Sequence, residues 1–208
     1  MNVRKGLLVV GMLAFALPVL AEDKPAATTG AEIGKPAPAF ELKDTEGKTH
    51  KLSDLAGKIV VLEWMNHECP VCKRHADEKT ASNTMKKFEG KPVVWIGIDS
   101  SHFCEKKLDS IKKFNTEKAL PFPTLLDAPG KIGKAYGAKT TPHVFVIDQK
   151  GILAYQGAID NKPEGEGRGE TKNYVEEAVN ALLTGSAVPT PTTKPYGCGV
   201  KYYMPASG

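Results

Sequence analysis

The chain has 208 residues, 25% of them charged, and a formal net charge of +4. A charge that small and that evenly spread excludes a nucleic acid or an anionic membrane surface as a partner recruited by long-range attraction. The length suits one domain with added segments.

Met1 to Lys5 is a short positive start, and Gly6 to Leu20 is an apolar run without a charge, the pattern of an export leader. Small side chains before Glu22 predict a cut after Ala21, so that 1–21 is a signal peptide and 208 − 21 = 187 residues remain, with a charge of +2 once Arg4 and Lys5 are gone. An uncleaved anchor wants about 20 apolar residues, and this run is shorter and broken by Pro18. The predicted location is therefore outside the cytoplasm, in a periplasm, with no membrane span after cleavage. Residues 22–35, rich in Ala, Thr, Lys and Pro without periodicity, read as a flexible linker.

The domain is predicted over 36–185. Phe40–Lys43 and Lys48–Leu52 around Thr45-Glu46-Gly47 read as a hairpin, and Ser53-Asp54 as one helical turn stopped by Gly57. Lys58 to Met65 is an almost continuous apolar run, as in a strand covered on both faces, with Glu63 as its single carboxylate. Pro70 suits the first turn of a helix running to about Phe88, with Ala81, Met85 and Phe88 on one face. Val93–Ile98 is a second buried strand, and strand, helix, strand in that order implies a right-handed parallel crossover. A helix follows over Cys104–Phe114, a strand over Phe122–Leu126 and a short helix over 131–137. Thr140-Thr141-Pro142 then leads into a hairpin of His143–Asp148 and Ile152–Gly157. Asn161–Glu170 is Gly- and Glu-rich and reads as mobile, and Thr171–Leu183 closes the domain as a helix. The extension 186–208, which holds Cys198, contains enough tyrosine to lie on the domain.

The cysteines are Cys69, Cys72, Cys104 and Cys198. After an export leader they meet a compartment where disulfides persist. A dithiol that exchanges disulfides needs an exposed, stabilised thiolate near a second sulfur. Cys69 at a helix N-terminus meets the first need, because unpaired N–H groups and the helix dipole favour negative charge. Cys72 lies on the same side one turn on, the place for a resolving sulfur. His67, Lys73, Arg74 and His75 add positive charge around the pair, and Glu68 opposes it. Glu63 would carry protons for Cys72 if burial raises its pKa. Alternatively it faces outward or pairs with Lys58.

These residues resemble the thioredoxin-like superfamily: Cys69-Pro70-Val71-Cys72 after an apolar strand, Glu63 six residues upstream, and Thr141-Pro142 entering a late strand. The resemblance is closer to a redoxin, peroxiredoxin-like branch related to alkyl hydroperoxide reductase and thiol-specific antioxidant proteins. Its marks are Asn66-His67-Glu68-Cys69-Pro70, Gly157-Ala158-Ile159-Asp160-Asn161 and the ending Thr193 to Tyr202. The resemblance implies an α/β fold with a mixed central sheet, helices on both faces, an N-terminal hairpin and a C-terminal extension. It implies a cis Pro142 against the dithiol, catalytic roles for Cys69, Cys72, Glu63 and Pro142, and Thr141 presenting backbone groups to a substrate's extended chain. Pro70 and Trp64 complete the expected substrate-contacting set. Where the peroxidases of this branch carry Pro and Thr or Ser, Leu62 and Asn66 stand, which favours general dithiol exchange, with antioxidant activity secondary. The cofactor expected is none beyond a Cys69–Cys72 disulfide. The partners expected are protein or small-molecule disulfides and thiols and a redox partner protein.

Cys104 and Cys198 have two readings, a structural disulfide or a second redox pair relaying electrons to Cys72. Two rival functions remain at this point. His67, Cys69, Cys72 and His75, with or without His102, are a donor set suited to copper or zinc and hence to a metallochaperone. A binding domain with inert disulfides is the other.

Overall fold

A computed structural model describes residues 30–163 and 170–205. The leader over 1–21, the first part of the linker, the centre of the Gly- and Glu-rich segment and the last three residues lie outside the described residues.

Among the described residues nine strands and five α-helices follow in chain order: β1 (Glu41–Asp44), β2 (Thr49–Lys51), β3 (Ile59–Trp64), α1 (Pro70–Asp77), α2 (Thr80–Lys86), β4 (Val93–Asp99), α3 (Leu108–Glu117), β5 (Thr124–Leu126), α4 (Lys131–Tyr136), β6 (Thr140–Thr141), β7 (His143–Ile147), β8 (Leu153–Gly157), α5 (Tyr174–Leu183) and β9 (Cys198–Gly199). Seven strands form one sheet in the order β2-β1-β5-β4-β3-β7-β8, and β6 pairs with β9 apart from it. β3 runs parallel to β4, and β4 to β5. β7 runs antiparallel to β3, and β1 antiparallel to both β2 and β5. This is the mixed α/β sheet expected, with the hairpin at one edge.

Both crossovers leading from β3 through β4 to β5 move the same way across the sheet. Right-handedness therefore puts α1, α2 and α3 on one face, and α4, in the connection from β5 to β7, packs on the other. All six residues of β3 are buried, because alternate side chains enter two separate cores. Ile59 and Val61 join Met65, Cys72, Phe114 and the α5 residues Val175 and Val179. Val60, Leu62 and Trp64 join Ile132 and Tyr136 of α4 and Phe145 of β7.

Three sequence expectations change. The long helix after Pro70 is broken, with Lys79 left-handed at φ 55°; no glycine or proline announces the break, and it turns α2 so that Ala81 and Met85 pack on the dithiol-side core. The helix expected from Cys104 opens with a 3-10 turn over Glu105–Lys107 before α3 begins. The chain joins the fold before Pro36: Ala31 N–H donates to the Tyr136 carbonyl at 3.2 Å and Gly34 N–H to that of Leu153 at 2.8 Å, so residues 31–35 are domain, not tether. Among the described residues no helix is long and apolar enough to cross a membrane.

Candidate functional site

The β3–β7 register sets Trp64 opposite His143. The turn Thr141-Pro142 at the start of β7 therefore reaches the same end of the sheet as the loop leaving β3. That loop, Met65 to Cys69, is shaped by Asn66: its Nδ2 donates to Ser101 Oγ at 2.6 Å and its Oδ1 accepts from the Glu68 N–H at 2.7 Å. Cys69 is the N-cap of α1, extended at φ −72°, ψ 121°, and Pro70 takes the first helical position, where a missing N–H costs nothing.

The Thr141-Pro142 bond is cis, and the Cys69 thiol donates to the Thr141 carbonyl across a 3.0 Å gap. Donation from the Cys72 thiol, opposed by burial and aided by the Cys198 thiol and the Cys72 N–H, holds the Cys69 thiol well below its ordinary range. Burial drives the Cys72 thiol the other way, and the charges of Cys69 and Glu63 add to the rise. The two sulfurs are thus split into one that ionises and one that keeps its proton, the division of labour that disulfide exchange requires.

Glu63 is buried on the dithiol side of β3 and accepts from Trp95 Nε1 at 2.9 Å. Burial, relieved in part by that bond, raises its pKa from 4.5 to about 7. The outward-facing reading and the pairing with Lys58 do not hold. A cavity of about 20 Å³, room for one water, counts Glu63, Cys72 and His75 among its lining residues.

Other expectations are redrawn. Cys69 is only 4% exposed and Cys72 3%, whereas the attacking sulfur was expected open to solvent; the C-terminal extension lies over it. Trp64 is fully buried on the opposite face, donating to Ser100 Oγ at 2.9 Å and packed edge-on to Phe145. It cannot touch a substrate, because in a strand the neighbour of Glu63 must point the other way. Pro70 is exposed at the site. His67 and His75 supply no positive charge, since burial lowers the pKa of both, that of His75 to about 4.

The pairing of Cys104 with Cys198 is not made: all four cysteines are free. Cys104 is fully buried in the turn that follows β4, where burial and the charge of Asp99 push its thiol up to about 12. Cys198 faces Cys69 instead. The metal-ligand set does not assemble either. His75 is held between Thr80 Oγ1 and the Tyr196 hydroxyl, each at 3.1 Å, and among the described residues no group of three or more His, Cys, Asp or Glu side chains could hold a metal ion.

Sequence reasoning missed Trp95 as the partner of Glu63, and the chain of contacts from His75 through Tyr196 to Asp160. Asp160 and Tyr196 both fall in segments that mark the redoxin branch, which was the available signal.

The family model described as "AhpC/TSA family" matches residues 33–156. Thiol-disulfide oxidoreductase ResA of Bacillus thuringiensis subsp. konkukian is 30% identical over 151 residues, which span 73% of this chain and 79% of the relative. Chloroplastic peroxiredoxin Q of Triticum aestivum is 34% identical over 176 residues, spanning 78% and 77%. A crystal structure of a protein from Sinorhizobium meliloti 1021, described as hypothetical, superposes with a TM-score of 0.74 at 26% identity, covering 84% of this chain and 97% of the other.

Proposed function

This chain belongs to the AhpC/TSA family, on a thioredoxin-like fold, and from that premise we propose that it is an exported thiol-disulfide oxidoreductase working through Cys69-Pro70-Val71-Cys72. The observation that carries the reading is the Cys69 sulfur at the start of α1, with the Cys72 thiol and the Thr141 carbonyl against it.

Cys69, as thiolate, attacks a substrate disulfide and forms a mixed disulfide; Cys72 then attacks Cys69 and releases the substrate thiol. Cys72 must lose its proton for the second step. Glu63, titrating near neutral pH beside it, is the group placed to take that proton, directly or through one water. The sequence Thr141-Pro142 presents a carbonyl at the reacting sulfur, and no cofactor is needed beyond the disulfide the pair itself forms. Protein or small-molecule disulfides are the substrates, and a second redox protein restores the starting state.

Peroxide is the less favoured oxidant. Leu62 is buried in the far core, and the Asn66 side chain is spent on Ser101 and Glu68. An antioxidant role then follows from returning oxidised thiols to the reduced form.

Insulin-disulfide reduction tests the assignment. Cys69→Ser is expected to fall to background, and Cys72→Ser to accumulate mixed disulfides visible without reductant; wild-type activity in either variant would sink the roles given. After cell fractionation of a host expressing the full chain, the protein is expected outside the cytoplasm with its N-terminus at Glu22, and a cytoplasmic protein starting at Met1 would remove the export reading.

A further inference from the structure

What hides Cys69 is the chain's own tail. Thr141 pairs antiparallel with Cys198, and Thr140 with Gly199. The Thr141 hydroxyl donates to the Cys198 carbonyl at 3.3 Å. Gly197 lies flush on the turn: at its φ of 125°, an added Cβ would fall 2.2 Å from the Thr141 oxygen and 3.1 Å from Pro142. The strand position beside the dithiol, where a substrate's extended chain would pair, is therefore filled from within, and by a segment that carries a cysteine.

The filling segment is pinned on both flanks. Upstream, Thr193 Oγ1 accepts from the Ala158 N–H at 2.9 Å, and the Tyr196 hydroxyl donates to Asp160. Downstream, Val200 N–H donates to the Lys139 carbonyl at 3.1 Å and the Tyr202 hydroxyl to that of Ala138 at 2.8 Å. Between these anchors residues 197–199 are held against Thr140 and Thr141 by the short β6–β9 ladder and the Thr141 hydroxyl bond.

We propose that Cys198 is a third exchange cysteine, a resident partner of Cys69 presented by residues 197–199 in the strand position that an extended, cysteine-bearing protein segment must take to react. The proposal rests on Cys69 being the exchanging sulfur. In the oxidised protein the Cys198 sulfur attacks Cys69, the Cys69–Cys72 bond breaks, and a Cys69–Cys198 bond forms. Cys72 leaves with the electron pair and takes up a proton, balancing the one Cys198 gives up, so no net oxidation occurs. Donation from Cys198 also stabilises the reduced Cys69 thiolate. Cys104, sealed elsewhere, takes no part.

The test is to oxidise the full chain carrying Cys72→Ser with limiting diamide, a two-electron dithiol oxidant, and to map disulfides by mass spectrometry. A monomer linked Cys69–Cys198 is expected. Adding Gly197→Ala, which undocks the ladder, is expected to cut that product about tenfold by lowering the local concentration of one thiol at the other. Intermolecular dimers alone, any link through Cys104, or a yield indifferent to Gly197→Ala overturns the proposal. Wild-type insulin reduction separates the two readings: an active protein that never forms Cys69–Cys198 defeats this inference alone, and an inactive one that forms it defeats only the function proposed above.

Discussion

β3 carries a buried polar cluster on each side, and the two differ in how completely they are bonded. On the α4 side, Trp64 Nε1 donates to Ser100 Oγ, which donates to Asp127 Oδ2 at 2.6 Å, and the same oxygen accepts from the Gly133 N–H at 2.8 Å. On the dithiol side, Glu63 has one protein donor, Trp95, and borders a cavity shared with Cys72. A closed network fixes geometry, whereas a carboxyl left with one bond and an open side can gain and lose a proton. Burial makes both costly to disturb, but only the incomplete one is chemically available.

The comparison breaks most sharply at Asp127. Asp127→Ala strands the Ser100 hydroxyl and the Gly133 N–H, and is expected to cost about 3 kcal/mol of stability, measured as a lower urea midpoint. Cys69 alkylation at its normal rate in the folded variant would confirm that the network is structural; a matching loss of thiol reactivity would couple the two faces after all.

Glu63→Gln comes next and acts in the opposite sense. Turnover of a disulfide substrate near pH 7 is expected to drop roughly a hundredfold, the low end of the range for losing a general acid–base group. The folded Glu63 titrates higher than the unfolded one, so its contribution to stability is full below pH 4.5 and is lost as pH rises through about 7. That loss amounts to about 3 kcal/mol. The Gln variant is expected to show a flatter stability profile between those limits; an unchanged slope would mean Glu63 is not the titrating group.

Trp64→Phe sharpens the contrast with the smallest effect. It removes one hydrogen bond from the closed network, worth about 1 kcal/mol, and is expected to leave KM for any substrate unchanged, because the ring never reaches the site. A raised KM would restore the substrate contact that sequence position suggested.

The local parts of this protein were legible in its residues. The apolar run Ile59–Trp64, proline after Cys69, and glycine at the turns each fix backbone behaviour over a few neighbours, so strands, hairpins and the Cys-x-x-Cys at a helix start could be read directly. The break at Lys79 was harder to read, since neither glycine nor proline stands there and the Thr and Ser residues that begin α2 disfavour a helix only weakly. Strand alternation alone was enough to exclude Trp64 from the site once Glu63 was placed there, yet which of the two faced the dithiol depended on where α1 folded back. The partner of Cys198 was likewise undetermined: Cys198 lies 129 positions after Cys69 and 94 after Cys104, and spacing carries no preference at that range. Only the packed fold, which lays the tail against Thr141, decided that Cys198 meets Cys69, because contacts between distant segments are chosen by the shape of the surface between them.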